Sequence, residues 1–152
     1  MFEVTLFLHS WLRWVVVVIA FMLMIKLTNS WLKKETWKGS EFSYLNGFLQ
    51  IYNTQIAVGL ALYFGLSPIP KAVIGDLDLI KNPYFFFFSL RHPISMILGV
   101  GIFQIGVALA KKRAAEKRYR ILAITMILVL MVILSAIPWP NLDYGRNLFR
   151  WF

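Results

Sequence analysis

The two histidines of this chain, His9 and His92, are the residues best suited to carry chemistry. Both lie within apolar stretches, where an imidazole can move a proton or bind a metal or haem iron. None of the 152 residues is a cysteine, which excludes thiolate metal sites, iron–sulfur clusters and covalently attached haem. Two imidazoles alone would leave a zinc or copper ion short of a third ligand. We therefore expect the pair to be the axial ligands of one non-covalent b-type haem.

Four long apolar runs must position these histidines. They cover roughly residues 4–27, 45–66, 84–110 and 121–139, and each can cross about 30 Å of hydrocarbon. Hydrophobic residues make up 59% of the chain and charged residues only 15%, a balance that soluble domains of this length do not show. The predicted fold class is all-α, an integral membrane four-helix bundle with up-down-up-down topology, formed by a single domain over residues 1–152.

The distribution of basic residues predicts the orientation of the bundle. Two connecting segments are rich in them: Lys33, Lys34, Lys38, Lys111, Lys112, Arg113, Lys117, Arg118 and Arg120. The positive-inside rule places these segments in the cytoplasm and both termini on the periplasmic side of the inner membrane. The net charge of +9 therefore indicates topology and contact with the lipid bilayer, and we expect no binding of nucleic acid. Residues 141–152 are expected to form a short amphipathic segment along the outer surface.

This topology brings the two histidines to one depth. His9 lies 17 residues before Lys26, and His92 lies 18 residues before Ala110. Each is therefore about 26 Å from the cytoplasmic end of its helix. If the first and third helices pack against each other, two facing imidazoles can bind one haem iron.

Residues close to the histidines suit a flat, acidic cofactor. Each histidine has an arginine within one helical turn, and a guanidinium group pairs well with a haem propionate. Two small residues share the His92 face of the third helix and leave room for a macrocycle. The expected site consists of the iron ligands His9 and His92, the cations Arg13 and Arg91, and the small residues Ser95 and Gly99.

A second polar layer is expected in the cytoplasmic half of the bundle. Its members fall at similar heights on three helices: Asn46, Gln50, Asn53, Gln104 and Thr125. Polar groups in hydrocarbon require partners, so this layer is interpreted as interhelical hydrogen bonding, with a quinone site as the alternative. The aromatic run Phe85–Phe88 is interpreted as a lipid-facing or subunit contact.

Two function classes remain after the absences are considered. No Asp or Glu lies in the middle of a predicted span, which disfavours ion-coupled transport, and the hydrolase and phosphate-loop motifs are missing. A stand-alone enzyme acting on a lipophilic substrate would depend on these histidines as its base and is disfavoured. One class is a subunit that transfers electrons between quinol or a membrane dehydrogenase and a periplasmic carrier. The other is a haem-free accessory or assembly subunit of a larger membrane complex.

Three short segments resemble a known family. They are HSWLRW at His9–Trp14, RHPISM at Arg91–Met96 and IPWP at Ile137–Pro140. They are similar to segments of the small four-helix membrane proteins of Bacteroidota described as cytochrome b subunits, and the likeness covers nearly the whole chain. The resemblance implies a b-type haem membrane subunit, with His9 and His92 at the positions of the family's histidines.

Overall fold

The computed structural model describes residues 1–149, which are helical and contain no strand. Within them we number the helices α1 (Phe2–Leu32), α2 (Glu41–Leu66), α3 (Pro68–Gly75), α4 (Pro83–Lys111) and α5 (Ala115–Ser135). A 3-10 turn, Leu77–Lys81, connects α3 with α4. The last turn of α2, Leu62–Leu66, and one turn of α4, Phe87–Arg91, are π-helical.

The helices are consistent with a protein that crosses the membrane several times. α1, α4 and α5 are each long and apolar enough to span a bilayer, whereas α2 meets the same criterion only together with α3, to which it is bent by 51°. The described residues therefore provide three spans, or four if the bent pair is one span. The bend follows from Ser67 and Pro68, because the Ser67 side chain accepts a hydrogen bond from the Ile69 amide and Pro68 cannot continue the hydrogen bonding of α2.

The four long helices pack as a ring. α1 packs on α2 and α5, and α4 packs on the same two helices, with the most extensive contacts made by α5. Because α5 packs against both α1 and α4, 44% of its apolar stretch is buried, compared with 28% in α1 and 22% in α4. α1 and α4 consequently lie across the bundle from each other. The expectation that the two histidine-bearing helices are adjacent is wrong.

Glycines of α4 receive side chains from the neighbouring helices. A Cβ atom on Gly99 would overlap the hydroxyl of Tyr52, which donates a hydrogen bond to the Met96 carbonyl at 3.2 Å. A Cβ atom on Gly106 would likewise overlap Thr125. Both glycines therefore allow close helix packing, with Tyr52 fully buried in the core.

The amides of the expected second polar layer do not lie inside the bundle. Thr125 is buried and donates to the Ile121 carbonyl at 2.8 Å within its own helix. The other members are exposed on outward helix faces: Asn46, Gln50, Asn53 and Gln104. The interpretation that they form hydrogen bonds between helices of one chain is wrong, because the core at these heights is filled by aromatic side chains such as Phe48 and Phe103.

After α5, residues 136–149 fold back over one end of the bundle. We call residues 136–149 the C-terminal segment. Its backbone makes turns, with Arg146 donating to the Pro138 carbonyl at 3.1 Å. On one side the Trp14 indole donates to the Leu148 carbonyl at 3.1 Å, and on the other the Tyr144 ring stacks on Phe87 with centroids 4.1 Å apart. The segment therefore bridges α1 and α4. The rest of the predicted amphipathic segment, residues 150–152, lies outside the described residues.

Candidate functional site

His9 and His92 meet at the end of the bundle covered by the C-terminal segment. Their ring centroids are 6.0 Å apart and their planes are inclined by 76°. Two imidazole nitrogens bound on opposite sides of one metal, at about 2 Å each, would lie about 4 Å apart, and about 1 Å of ring on either side gives a centroid separation of about 6 Å. The observed spacing is that of two imidazoles sharing one metal, and it is also that of an ordinary edge-to-face ring contact.

The backbone at the end of α5 orients the His92 ring. His92 Nδ1 lies 2.8 Å from the carbonyl oxygen of Ala136, the residue that follows α5. Because a carbonyl oxygen only accepts, this contact places the ring proton on Nδ1 and leaves a lone pair on Nε2. Histidines that bind metals commonly donate their other ring nitrogen to a backbone carbonyl in this way.

The His9 ring packs against α2. Gly59 makes room for it, since a Cβ atom there would lie 3.0 Å from His9 Cε1. Gln55 donates from Nε2 to the His9 carbonyl at 3.0 Å, and the same nitrogen lies 3.4 Å from His9 Nε2. His9 Nδ1 and Gln55 Oε1 are buried without a hydrogen-bond partner. A buried polar atom without a partner lowers the stability of the fold by about 1–3 kcal/mol. A bound molecule that formed hydrogen bonds with these atoms would remove this cost.

A cavity of about 850 Å³ opens beside the two imidazoles. Sites for cofactors and other small molecules commonly have about 300–1,000 Å³, so this cavity is within the range of a small-molecule site. Four helices and the C-terminal segment contribute to the wall, which includes Ser10, Gln55, Tyr63, Pro70, Phe88 and Met96.

Two arginines line this cavity from opposite ends of the chain. Arg13 on α1 donates from Nη2 to the Leu148 carbonyl at 2.6 Å, and its Nε is buried without a partner. Arg146 in the C-terminal segment donates to the Tyr84 hydroxyl, and its guanidinium carbon lies 3.9 Å from the centroid of the Phe88 ring. These partners are neutral, and no acidic residue lines the cavity within the described part of the chain. The arrangement suits an anionic group on a bound molecule.

Three of the six predicted site residues lie away from the cavity. Arg91 is exposed and donates to the Tyr144 hydroxyl at 2.8 Å. Gly99 is closed by Tyr52, and the half-buried Ser95 does not contribute to the described cavity wall. The groove expected on α4 is therefore filled by a side chain, and the open space lies toward α2 and α3 instead.

Sequence analysis missed Gln55 and Arg146. Gln55 lies four residues before Gly59, so the two share one helix face, and an amide above a glycine within an apolar run is a signal that could have been used. Nothing local links Arg146 with the histidines, because its position depends on the turns of the C-terminal segment. The interpretation of the aromatic run fits Phe86, which is exposed, but not Phe87, which is fully buried, or Phe88, which lines the cavity.

Comparison with known proteins does not identify an occupant for the cavity. No family model matches the chain, and neither a curated protein nor a solved structure matches it.

Proposed function

We propose that this protein is a membrane electron-transfer subunit that binds one non-covalent b-type haem through His9 and His92. The observation that carries the proposal is the 6.0 Å separation of the two imidazole rings. The adjoining cavity of about 850 Å³ and the lone pair left on His92 Nε2 support it. His9 Nδ1 forms no hydrogen bond within the chain, so this nitrogen is available to a bound molecule.

The donor set suits a haem better than a bare metal ion. A porphyrin brings four nitrogen ligands of its own, so two imidazoles complete the coordination. A bare ion would require a cluster of protein ligands, and no group of three or more metal-binding side chains occurs among the residues that the structure describes. Because His9 and His92 would both hold the group, a bound haem would supply one-electron transfer rather than chemistry on a substrate.

The surrounding residues would hold and shield the cofactor. When bound, the haem supplies a reversible one-electron couple, and the protein determines its position and surroundings. Ala136 orients His92 through the Nδ1 hydrogen bond, while Gly59 leaves space for the His9 ring. Arg13 and Arg146 are the cations placed to pair with the propionates. Arg146 thus takes the role that the sequence had suggested for Arg91.

The wider setting of the proposal is the bacterial inner membrane. By the positive-inside rule the lysine-rich loops are cytoplasmic, which puts the histidines near the periplasmic face. The electron donor would be quinol or a membrane dehydrogenase, and the acceptor a periplasmic carrier. The resemblance of the sequence to small cytochrome b subunits of Bacteroidota supports this assignment.

A reduced-minus-oxidised absorbance spectrum of the purified protein, produced with adequate haem, tests the proposal. We expect a b-type band from about one haem per chain, lost in both His9→Ala and His92→Ala. Tyr52→Phe is the matched control, because it removes one hydroxyl from a core residue that does not itself line the cavity. A wild-type protein without the band, or a band that survives either histidine substitution, contradicts the proposal.

The alternative is a haem-free accessory or assembly subunit of a larger membrane complex. Two observations favour it. Tyr52 fills the space beside Gly99 that was expected to receive a macrocycle, and the Gln55 amide nitrogen lies 3.4 Å from His9 Nε2. This alternative predicts a colourless protein that co-purifies with other membrane subunits. The spectrum described above separates the two functions.

A further inference from the structure

The outward face of α2 carries polar side chains without partners. Asn46, Gln50 and Asn53 follow one another at intervals of four and three residues, so they share one side of the helix. All three residues are exposed, and their side-chain amides form no hydrogen bond with any other described residue. We call these three residues the amide face.

The amide face lies deep within the helix. At 1.5 Å per residue, Asn46, Gln50 and Asn53 are about 8, 14 and 18 Å from the start of α2, which is about 39 Å long over Glu41–Leu66. Two of the three amides are therefore close to the middle of the helix. An amide that lies against hydrocarbon without a partner is strongly unfavourable.

The amide face distinguishes α2 from the other long helices. α1, α4 and α5 are each apolar enough to span a membrane alone, whereas α2 is not. Their exposed positions carry large apolar residues, for example Val18, Ile97 and Met131. α4 also exposes the single amide of Gln104, whereas α2 exposes a row of three, and this amide face requires a cover that supplies hydrogen bonds.

We propose that the amide face is the contact between two copies of this chain in the membrane. A carboxamide both donates and accepts, so a row of Asn and Gln is complementary to itself. A two-fold axis along the membrane normal would bring each amide to the depth of its own counterpart. Interhelical hydrogen bonds between polar side chains are a recognised means of helix association in bilayers.

Two further features of α2 fit a second copy. Ala57 lies at the centre of the face and Gly47 at its edge, where a Cβ atom would meet nothing within 4 Å, so two backbones can approach closely. No charged residue follows Glu41 within α2, so two copies would not repel each other along this face. Gln55 and Gly59 lie on the opposite side of α2, and the contact leaves the cavity open. The proposal is therefore independent of haem binding.

Disulfide cross-linking in native membranes tests the contact, since the full chain contains no cysteine. Single variants Gln50→Cys and Ala57→Cys are expected to form covalent dimers on mild oxidation. Val18→Cys on α1 and Met131→Cys on α5 are controls at positions that are also exposed, and they should form at least about tenfold less dimer. Equal cross-linking from the controls, or cross-linking of Gln50→Cys to a different protein, overturns the proposal.

Removal of the amides provides a second measurement. Gln50→Leu combined with Asn53→Leu keeps the size of the side chains but removes their hydrogen bonding, and lipid accepts the new surface. We expect the dimer dissociation constant in detergent micelles to rise at least about tenfold. A wild-type chain that stays monomeric over the accessible concentration range, or a double variant that dimerises as well as wild type, overturns the proposal.

Discussion

The imidazole rings of His9 and His92 lie 6.0 Å apart although the helices that carry them occupy opposite corners of the bundle. Neighbouring helices pack with axes about 8–10 Å apart, and helices on a diagonal are farther from each other. The rings meet because both side chains reach into the centre of the ring of helices. A ligand held by both would therefore connect α1 with α4 across that end of the bundle.

Exogenous imidazole is expected to replace the His9 side chain. His9→Gly should lose the b-type band, and millimolar imidazole should restore it, because the vacated volume adjoins a cavity of about 850 Å³. Absorbance titration with imidazole measures the recovery. Tyr52→Phe titrated in the same way should show no change, and failure of imidazole to restore any band would argue against His9 as a ligand.

Arg146 is expected to bind the acidic groups of the haem, and Arg91 is not. Loss of one charge-assisted hydrogen bond, worth about 1.5–3 kcal/mol, should weaken haem binding by about tenfold or more in Arg146→Gln. Arg91→Gln should change the affinity by less than about twofold, because Arg91 is directed to Tyr144 outside the cavity.

Haem dimethyl ester serves as the control ligand for this prediction. It lacks the propionate charges, so wild type and Arg146→Gln should bind it equally well. A loss of ester binding as large as the loss of haem binding would mean that Arg146 acts by holding the C-terminal segment in place.

Gly145→Ala is expected to disrupt the C-terminal segment. A Cβ atom there would overlap the Trp139 carbonyl and lie 2.8 Å from the Leu142 carbonyl, and both obstacles are backbone atoms that cannot rotate away. We expect a destabilisation of about 1–3 kcal/mol, measured by thermal unfolding in detergent, with faster proteolysis of the segment.

Gly101→Ala is the matched control, because a Cβ atom on Gly101 would meet nothing within 4 Å. It should be as stable as wild type or up to about 1 kcal/mol more stable, because Ala favours a helix over Gly. Equal stability of Gly145→Ala and Gly101→Ala would show that the turn at residue 145 adapts without loss.

Gly99→Ala and Tyr52→Phe are expected to compensate each other. The added methyl group would overlap the Tyr52 hydroxyl but would lie 3.4 Å from Tyr52 Cζ, an ordinary van der Waals distance. Gly99→Ala alone should therefore destabilise by about 1–3 kcal/mol, and Tyr52→Phe alone by about 0.5–1.5 kcal/mol through loss of the bond to Met96. The double variant should be more stable than Gly99→Ala, as a double-mutant cycle of thermal unfolding would measure. If the effects of the two substitutions on the free energy of unfolding were strictly additive, the overlap between residue 99 and the Tyr52 hydroxyl would not be the cause of the destabilisation.

Several features of the fold could be predicted because they follow from local sequence. Apolar runs interrupted by charged segments indicate helices that cross a membrane, and an all-helical architecture is confirmed for residues 1–149. The common depth predicted for His9 and His92 from counts along two helices agrees with their contact in the structure. Arg13, one turn from His9, does line the cavity beside the histidines.

Other features depend on which surfaces meet, and one sequence does not contain that information. Helical periodicity predicts that Gly99 leaves a space on the His92 face of its helix, but only the packing of α2 against α4 determines that Tyr52 fills this space. The same uncertainty applies to the exposed amides of α2, since composition does not state whether a polar side chain faces the core or the lipid.

The sequence by itself determined the class of molecule, the approximate spans and the two imidazoles at one depth, because these follow from hydrophobicity and helix rise. The tertiary structure alone decided that α1 and α4 are diagonal and that Arg146, not Arg91, faces the cavity. The physical reason is chain reversal: the turns of residues 136–149 bring Arg146 to Tyr84, 62 positions away, and no local propensity encodes that contact.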